Sequence, residues 1–264
     1  MSDTVLYEAD GPVATVTLNR PENMNTMNNE LLAAAVDVFE RIASDDAIRA
    51  VIFTGNGRAF CAGGDLGGGA GGGVFDDSPV QHQIDRLRRA MRTSQLLHEM
   101  PKATIAAING ACAGAGLSWA CACDLRYAAA SAKFNTAFLS AGVSGDFGGT
   151  WTLPRIVGAS KARELYMLSE RFTADEAERL GLVARAVPDD ELMTTVRGVA
   201  EKLSQSAPLA LQRIKANFND SERVSFSEAL DLEADRHTRC SLTEDATEAA
   251  NAFMEKREPQ FKGK

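Results

Sequence analysis

The feature that most narrows the fold is an alternation. Short apolar, β-branched runs at 13–18, 49–55, 103–109 and 125–129 alternate with longer stretches at 28–43, 80–100 and 114–123. In 13–18, Ala14, Val16 and Leu18 alternate with Thr15 and Thr17, the period of two of a strand. Asp10-Gly11-Pro12 just before it suits a hairpin turn from an earlier strand. Runs 49–55 and 103–109 are nearly all apolar, as expected for strands buried on both faces. In 28–43, Leu31, Leu32, Ala35, Val36, Phe39 and Ile42 share one helical face, with Asn28 or Asn29 as its cap. Strands alternating with helices predict an α/β fold with parallel pairing.

From about residue 159 the pattern turns helical. Helices are expected at 190–205, 208–218, 224–239 and 243–257. Capping-box patterns stand at Thr173–Glu176 and Ser241–Glu244. The chain therefore divides near residue 200 into an α/β core, 1–200, and a helical C-terminal region, 201–264.

Composition excludes several classes. The 264 residues carry a net charge of -8, which argues against a nucleic-acid partner. An anionic ligand would have to be met by local groups such as backbone N–H donors. No apolar run approaches the roughly 18 residues of a membrane span, and the first ten residues lack a secretory pattern, so a cytoplasmic protein is expected. The five cysteines read as reduced thiols. His82, His98 and His237 are scattered, so no metal site is expected.

Several glycine motifs fail their familiar tests. Six of the seven residues 67–73 are glycine, but no Gly-Lys-Ser/Thr follows, so this is no P-loop. It reads as a flexible surface loop. Gly114-Ala-Gly116 is followed by Trp119 where a dinucleotide fingerprint needs glycine. Gly116-Leu-Ser118-Trp-Ala120 comes close to a nucleophile elbow, with His237 later in the chain. The preceding strand ends too early for that elbow. Two small-residue segments, 58–66 and 109–116, each follow a strand. Either they pack tightly, or their N–H groups converge on one oxygen as an oxyanion hole.

With these motifs in view, the chain resembles the crotonase, or enoyl-CoA hydratase/isomerase, superfamily almost end to end. The likeness rests on Asn19-Arg20-Pro21 with Asn25, Ala59-Phe60-Cys61-Ala62-Gly63-Gly64-Asp65-Leu66, Ala107-Ile108-Asn109-Gly110 and the 114–116 glycine cluster. It continues with Cys123-Asp124, Gly148-Gly149-Thr150, Leu153-Pro154-Arg155 with Gly158, Glu255-Lys256-Arg257 and Phe261-Lys262. The resemblance implies a spiral of ββα units, a homotrimer or dimer of trimers, and an acyl-CoA thioester substrate. Coenzyme A arrives as part of that substrate, and no separate cofactor is implied.

The family chemistry implies a thioester enolate held by two N–H groups, by position those of Ala62 and Ala115. The family's CoA contacts implicate Arg20, Met24, Phe60, Gly63, Asp65, Leu66 and Lys256; Gly114, Ser118, Phe138 and Trp151 would line the acyl site. The 67–73 run becomes a candidate lid. Hydratases of the family resemble one another in two glutamates, whose places here hold Ser118 and Phe138. One acid remains, Asp146, in a position similar to the acid of dienoyl-CoA and phenylacetyl-pathway isomerases and the nucleophile of aryl-CoA dehalogenases. By itself Asp146 reads as a cap for a helix over 147–157; the resemblance makes it the acid/base of a double-bond shift. The alternatives are hydration through Asp146, dehalogenation through Asp146, acyl-CoA binding without catalysis, and serine hydrolysis at Ser118.

Overall fold

The structure is a computed structural model, and it describes residues 3–65 and 77–264. The candidate lid at 67–73 and Leu66 lie outside the described residues. The α/β expectation holds.

The chain opens with a hairpin of β1 (Val5–Asp10) and β2 (Val13–Leu18), turning where Gly11 and Pro12 predict. Helix α1 (Asn29–Ser44) follows, its Asn28 side chain accepting from the Leu31 N–H. Next come β3 (Ala50–Gly55), β4 (Ala59–Cys61), α2 (Val80–Ala90) and α3 (Arg92–Glu99). The single helix expected over 80–100 is broken at Met91, where ψ of -7° interrupts the helical course.

Two further ββα units follow: β5 (Ala103–Ile108), β6 (Ala111–Ala113) and α4 (Ala115–Ala122), then β7 (Leu125–Ala129), β8 (Lys133–Asn135) and α5 (Gly149–Val157). The chain continues through α6 (Ala159–Leu168), β9 (Phe172–Thr173), α7 (Ala174–Arg179) and β10 (Arg185–Val187). It ends with α8 (Leu192–Ser204), α9 (Pro208–Ser221), α10 (Phe226–Ser241) and α11 (Glu244–Glu255). The Thr173–Glu176 capping box forms. The Ser241 box does not: Ser241 ends α10, and Thr243 caps α11. A box that the pattern reading passed over forms at Ser225–Glu228.

A six-stranded sheet runs β1-β2-β3-β5-β7-β10, parallel beyond the first hairpin. Its central strands divide their side chains by the period of two. Ala50, Ile52, Ile105 and Ala107 pack toward Leu192, Val196 and Ala200 of α8. Val51, Phe53, Ala106 and Ile108 face the main core. A second sheet, β4-β6-β8-β9, collects the short strand that follows each long one. The two sheets thus bring the ends of β4 and β6 together, parallel to each other.

One buried ion pair fastens this frame. Lys215 Nζ on α9 donates to Asp124 Oδ2 at 2.8 Å and to the carbonyls of Leu97 and Lys102. Asp124 also accepts from the Thr104 N–H and hydroxyl. The Cys123-Asp124 motif therefore has a structural task, joining β5, β7 and α9.

Candidate active site

The two small-residue segments meet. Gly116 permits it, because a Cβ there would lie 2.2 Å from the Cys61 carbonyl oxygen. That closeness seats the start of α4 against the end of β4. At the meeting point a Cβ on Gly63 would be 3.8 Å from Ala115 N, so the 63–64 turn and the first residue of α4 are neighbours. Ala115 is the first residue of α4, where the backbone N–H has no intrahelical acceptor.

The expected second donor is Ala62. The Ala62 N–H donates to the Met24 carbonyl at 3.1 Å and is already engaged. Gly64 stands differently. Its bridge to Met27 is made by its neighbours, Gly63 through its carbonyl and Asp65 through its N–H. In a parallel bridge of that kind the central residue's own N–H faces the other way. The N–H of Gly64 thus has no backbone acceptor among the described residues.

A clamp holds that turn. Asn25, fully buried, accepts from the Arg20 N–H and donates to the carbonyls of Asn56 and Ala59. The Arg20 guanidinium donates to Asp65 Oδ2 at 3.0 Å and to the Thr26 carbonyl. Arg20, Asp65 and the Met24 carbonyl thus fasten the loop from within. Phe60, assigned to substrate by resemblance, is instead fully buried, edge-on to Phe53 with ring centroids 5.1 Å apart. Its place on β4 turns it into the core.

Asp146 sits in a tightly wound turn. Gly145, Phe147 and Gly148 all have positive φ, of 113°, 50° and 80°. For phenylalanine that conformation is costly, and such strain gathers at functional sites. Asp146 does not cap α5: Gly148 is the N-cap, and no side chain bonds there. Instead Asp146 Oδ1 is buried without a hydrogen-bond partner among the described residues. Burial lifts its carboxyl from 3.8 to about 6. The Cys61 thiol, just before Ala62, is pushed up to about 12 by burial, with the Asp146 charge adding to it.

Behind Asp146 the two glutamate places are filled. Phe138 lies flat against Tyr166, a residue that sequence reasoning missed, with centroids 5.8 Å apart. Ser118 is buried on α4 and donates to the Gly114 carbonyl at 3.4 Å. A Cβ on Gly149 would be 2.3 Å from both Ser118 Oγ and Tyr166 Oη, so these hydroxyls converge over a bare Cα. No histidine bonds to Ser118 among the described residues, which leaves an elbow serine without its base.

Two assigned residues stand apart. Trp151 meets His98 edge-on at 5.3 Å and carries Arg155 over its ring at 3.8 Å. With Phe147, Gly148 and Ser94 it lines a cavity of about 390 Å³ between α3 and α5. Lys256 is exposed and caps the end of α11.

Comparison with known proteins assigns a family. The family profile described as "Enoyl-CoA hydratase/isomerase" matches residues 8–264. The chain belongs to the enoyl-CoA hydratase/isomerase family. It is 35% identical to the 1,2-epoxyphenylacetyl-CoA isomerase of Escherichia coli K12 over 264 residues, covering 100% of both chains. It is 32% identical to the crotonyl-CoA hydratase of Syntrophomonas wolfei over 260 residues, covering 98% of each. The crystal structure of an enoyl-CoA hydratase from Bacillus anthracis superposes with a TM-score of 0.91 at 32% identity, over 99% of this chain and 100% of that one. As a member of this family the protein acts on acyl-CoA thioesters, and its relatives' names divide between hydratase and isomerase. Among the described residues no helix is long and apolar enough to cross a membrane, and no cluster of His, Cys, Asp or Glu is arranged to hold a metal ion.

Proposed function

We propose that this enzyme shifts a carbon–carbon double bond within an acyl-CoA thioester, with Asp146 as its acid/base. The observation that carries this reading is Asp146, whose Oδ1 is buried without a partner among the described residues and whose carboxyl is raised to about 6, while Ser118 and Phe138 stand where hydratases would use two glutamates. With a 3-enoyl thioester, Asp146 takes a proton from C2. The electron pair moves onto the thioester oxygen as an enolate. The N–H groups of Ala115 and Gly64 are the supported holders of that oxygen, since charge grows on it in the transition state. The protonated Asp146 then gives its proton to C4, the enolate collapses, and the double bond lies between C2 and C3. A carboxyl with pKa about 6 suits both halves, being neither too weak a base nor too weak an acid near neutral pH.

A panel of 2-enoyl, 3-enoyl and aryl-acetyl CoA thioesters in heavy water, read by mass, tests the reading. Deuterium uptake with migration of the double bond is expected. Solvent oxygen in the product would instead make the enzyme a hydratase. With a haloaryl-CoA thioester added to the panel, displacement of halide to leave an aryl ester on Asp146 in a single turnover would make it a dehalogenase, and no exchange at all with any probe a binding protein.

Assembly belongs to the same proposal. The C-terminal helices leave Phe218, Phe226, Leu242 and Phe253 exposed, large apolar side chains that an interface between copies would cover. A trimer or dimer of trimers that covers these residues and brings Lys256 to a neighbour's site fits them. Light scattering on the purified protein measures this directly, and a monomer would refute it.

A further inference from the structure

Ser118 and Tyr166 have no part in the proton shift, yet the Ser118 hydroxyl is buried beside the Gly114–Ala115 turn and that of the half-buried Tyr166 comes near it. The amide that offers the Ala115 N–H is the planar unit that carries the Gly114 carbonyl. That carbonyl accepts twice from one residue: from the Ser118 N–H at 3.1 Å and from the Ser118 hydroxyl at 3.4 Å. Hydrogen bonds to a peptide oxygen draw electrons through the amide and make its N–H a stronger donor, and bonds in a chain polarise one another. Ser118 is 1% exposed, so water does not compete.

Tyr166 extends the chain. Its hydroxyl meets Ser118 Oγ over Gly149, where a side chain would collide with both at 2.3 Å. Having given its own proton to Gly114, the serine oxygen retains lone pairs to accept the tyrosine proton. Burial keeps the Tyr166 hydroxyl protonated, well above its ordinary range, so it has a proton to give. The stack on Phe138 fixes the ring. The order is Tyr166 hydroxyl, Ser118 hydroxyl, Gly114 carbonyl, Ala115 N–H, thioester oxygen.

We infer that Tyr166 and Ser118 are positioning residues that polarise the Gly114–Ala115 peptide and tighten its hold on the enolate oxygen. This inference rests on Ala115 being an oxyanion donor, as proposed above. It gives Ser118 a task that needs no acid/base chemistry of its own.

The test uses 4-dimethylaminocinnamoyl-CoA, a conjugated thioester whose absorption moves to longer wavelength as its carbonyl is polarised. Wild-type enzyme should shift the band. Tyr166→Phe, which keeps the ring stack, should reduce the shift and lower kcat about 3- to 10-fold, with KM moving less than about 2-fold. Ser118→Ala should reduce the shift further. The double variant should be no worse than Ser118→Ala alone, because tyrosine acts through serine. A wild-type shift that survives intact in Tyr166→Phe and Ser118→Ala overturns this inference and leaves Ala115 as donor untouched. No shift in the wild type sinks the donor assignment itself, and the inference with it.

Discussion

Phe138 and Tyr166 stack with their ring planes only 6° apart. The stack closes the place where a hydratase of this family carries a carboxylate. It also backs the turn that carries Asp146: a Cβ on Gly145 would lie 3.6 Å from Tyr166 Cε1 and 3.9 Å from Phe138 Cδ2. Phe138→Glu should therefore not create a hydratase. It would set a charge against an aromatic face and cost about 2–4 kcal/mol of stability. Chemical denaturation measures the cost. Crotonyl-CoA hydration appearing in the variant would contradict the argument.

Asp146→Asn keeps the size of the side chain and removes the base. Exchange at C2 of an enoyl-CoA should fall by about 10²–10⁴-fold, with substrate binding largely retained. Mass spectrometry in heavy water reads the exchange; a wild-type rate would eliminate Asp146 from the reaction.

The raised pKa of Asp146 makes two pH predictions. In the free enzyme kcat/KM should fall as pH drops through about 6, as the base becomes protonated. Stability moves the opposite way. The folded state binds this proton more tightly than the unfolded state, so between about 6 and 3.8 the group adds stability as pH falls. At pH 7–8 the buried charge is a cost of about 3 kcal/mol, and Asp146→Asn should be more stable by up to that amount. The gap should vanish near pH 4. Paired melts at pH 4 and pH 8 would show whether it does.

Ala115→Pro removes one N–H at a helix position that tolerates proline. The expected result is a 10²–10³-fold fall, roughly, in kcat with a nearly unchanged melting temperature. Activity at the wild-type level would remove Ala115 from the list of donors.

Lys215→Met should unfold the frame before it touches chemistry. It leaves two carbonyls and part of the Asp124 carboxylate unpaired in a buried place, a loss of about 3 kcal/mol. Denaturant titration would register this as a lower midpoint, and a neutral outcome would count against the role assigned to the pair.

The strands were legible wherever period and side-chain shape agreed, as in 13–18 and 103–109. The two-residue β9 and three-residue β10 carry too little pattern to be seen. The Ser241 box failed because α10 runs through Ser241, and a capping motif does not say where the previous helix ends. At the site, Ala115 and Asp146 could be singled out from motifs. The engagement of Ala62 could not, because the direction a peptide N–H faces is set by the partner strand and leaves no mark on residue type. Phe60 was misplaced for a similar reason: its neighbours line a turn, but its own side of β4 faces inward. Tyr166 lies far along the chain from Ser118 and Phe138, and only folding joins them.

The proposed amide donors, Ala115 and Gly64, have a consequence for how such an enzyme changes over time. Main-chain groups survive almost every substitution, so the oxygen-holding half of the reaction is insulated from drift. Side chains bordering it are free to be traded. On this reading a lineage can lose both glutamates, keep a working enolate holder, and take up a new reaction by moving one carboxylate. An alanine-scanning library would leave the main-chain half untouched and report only on the side chains around it.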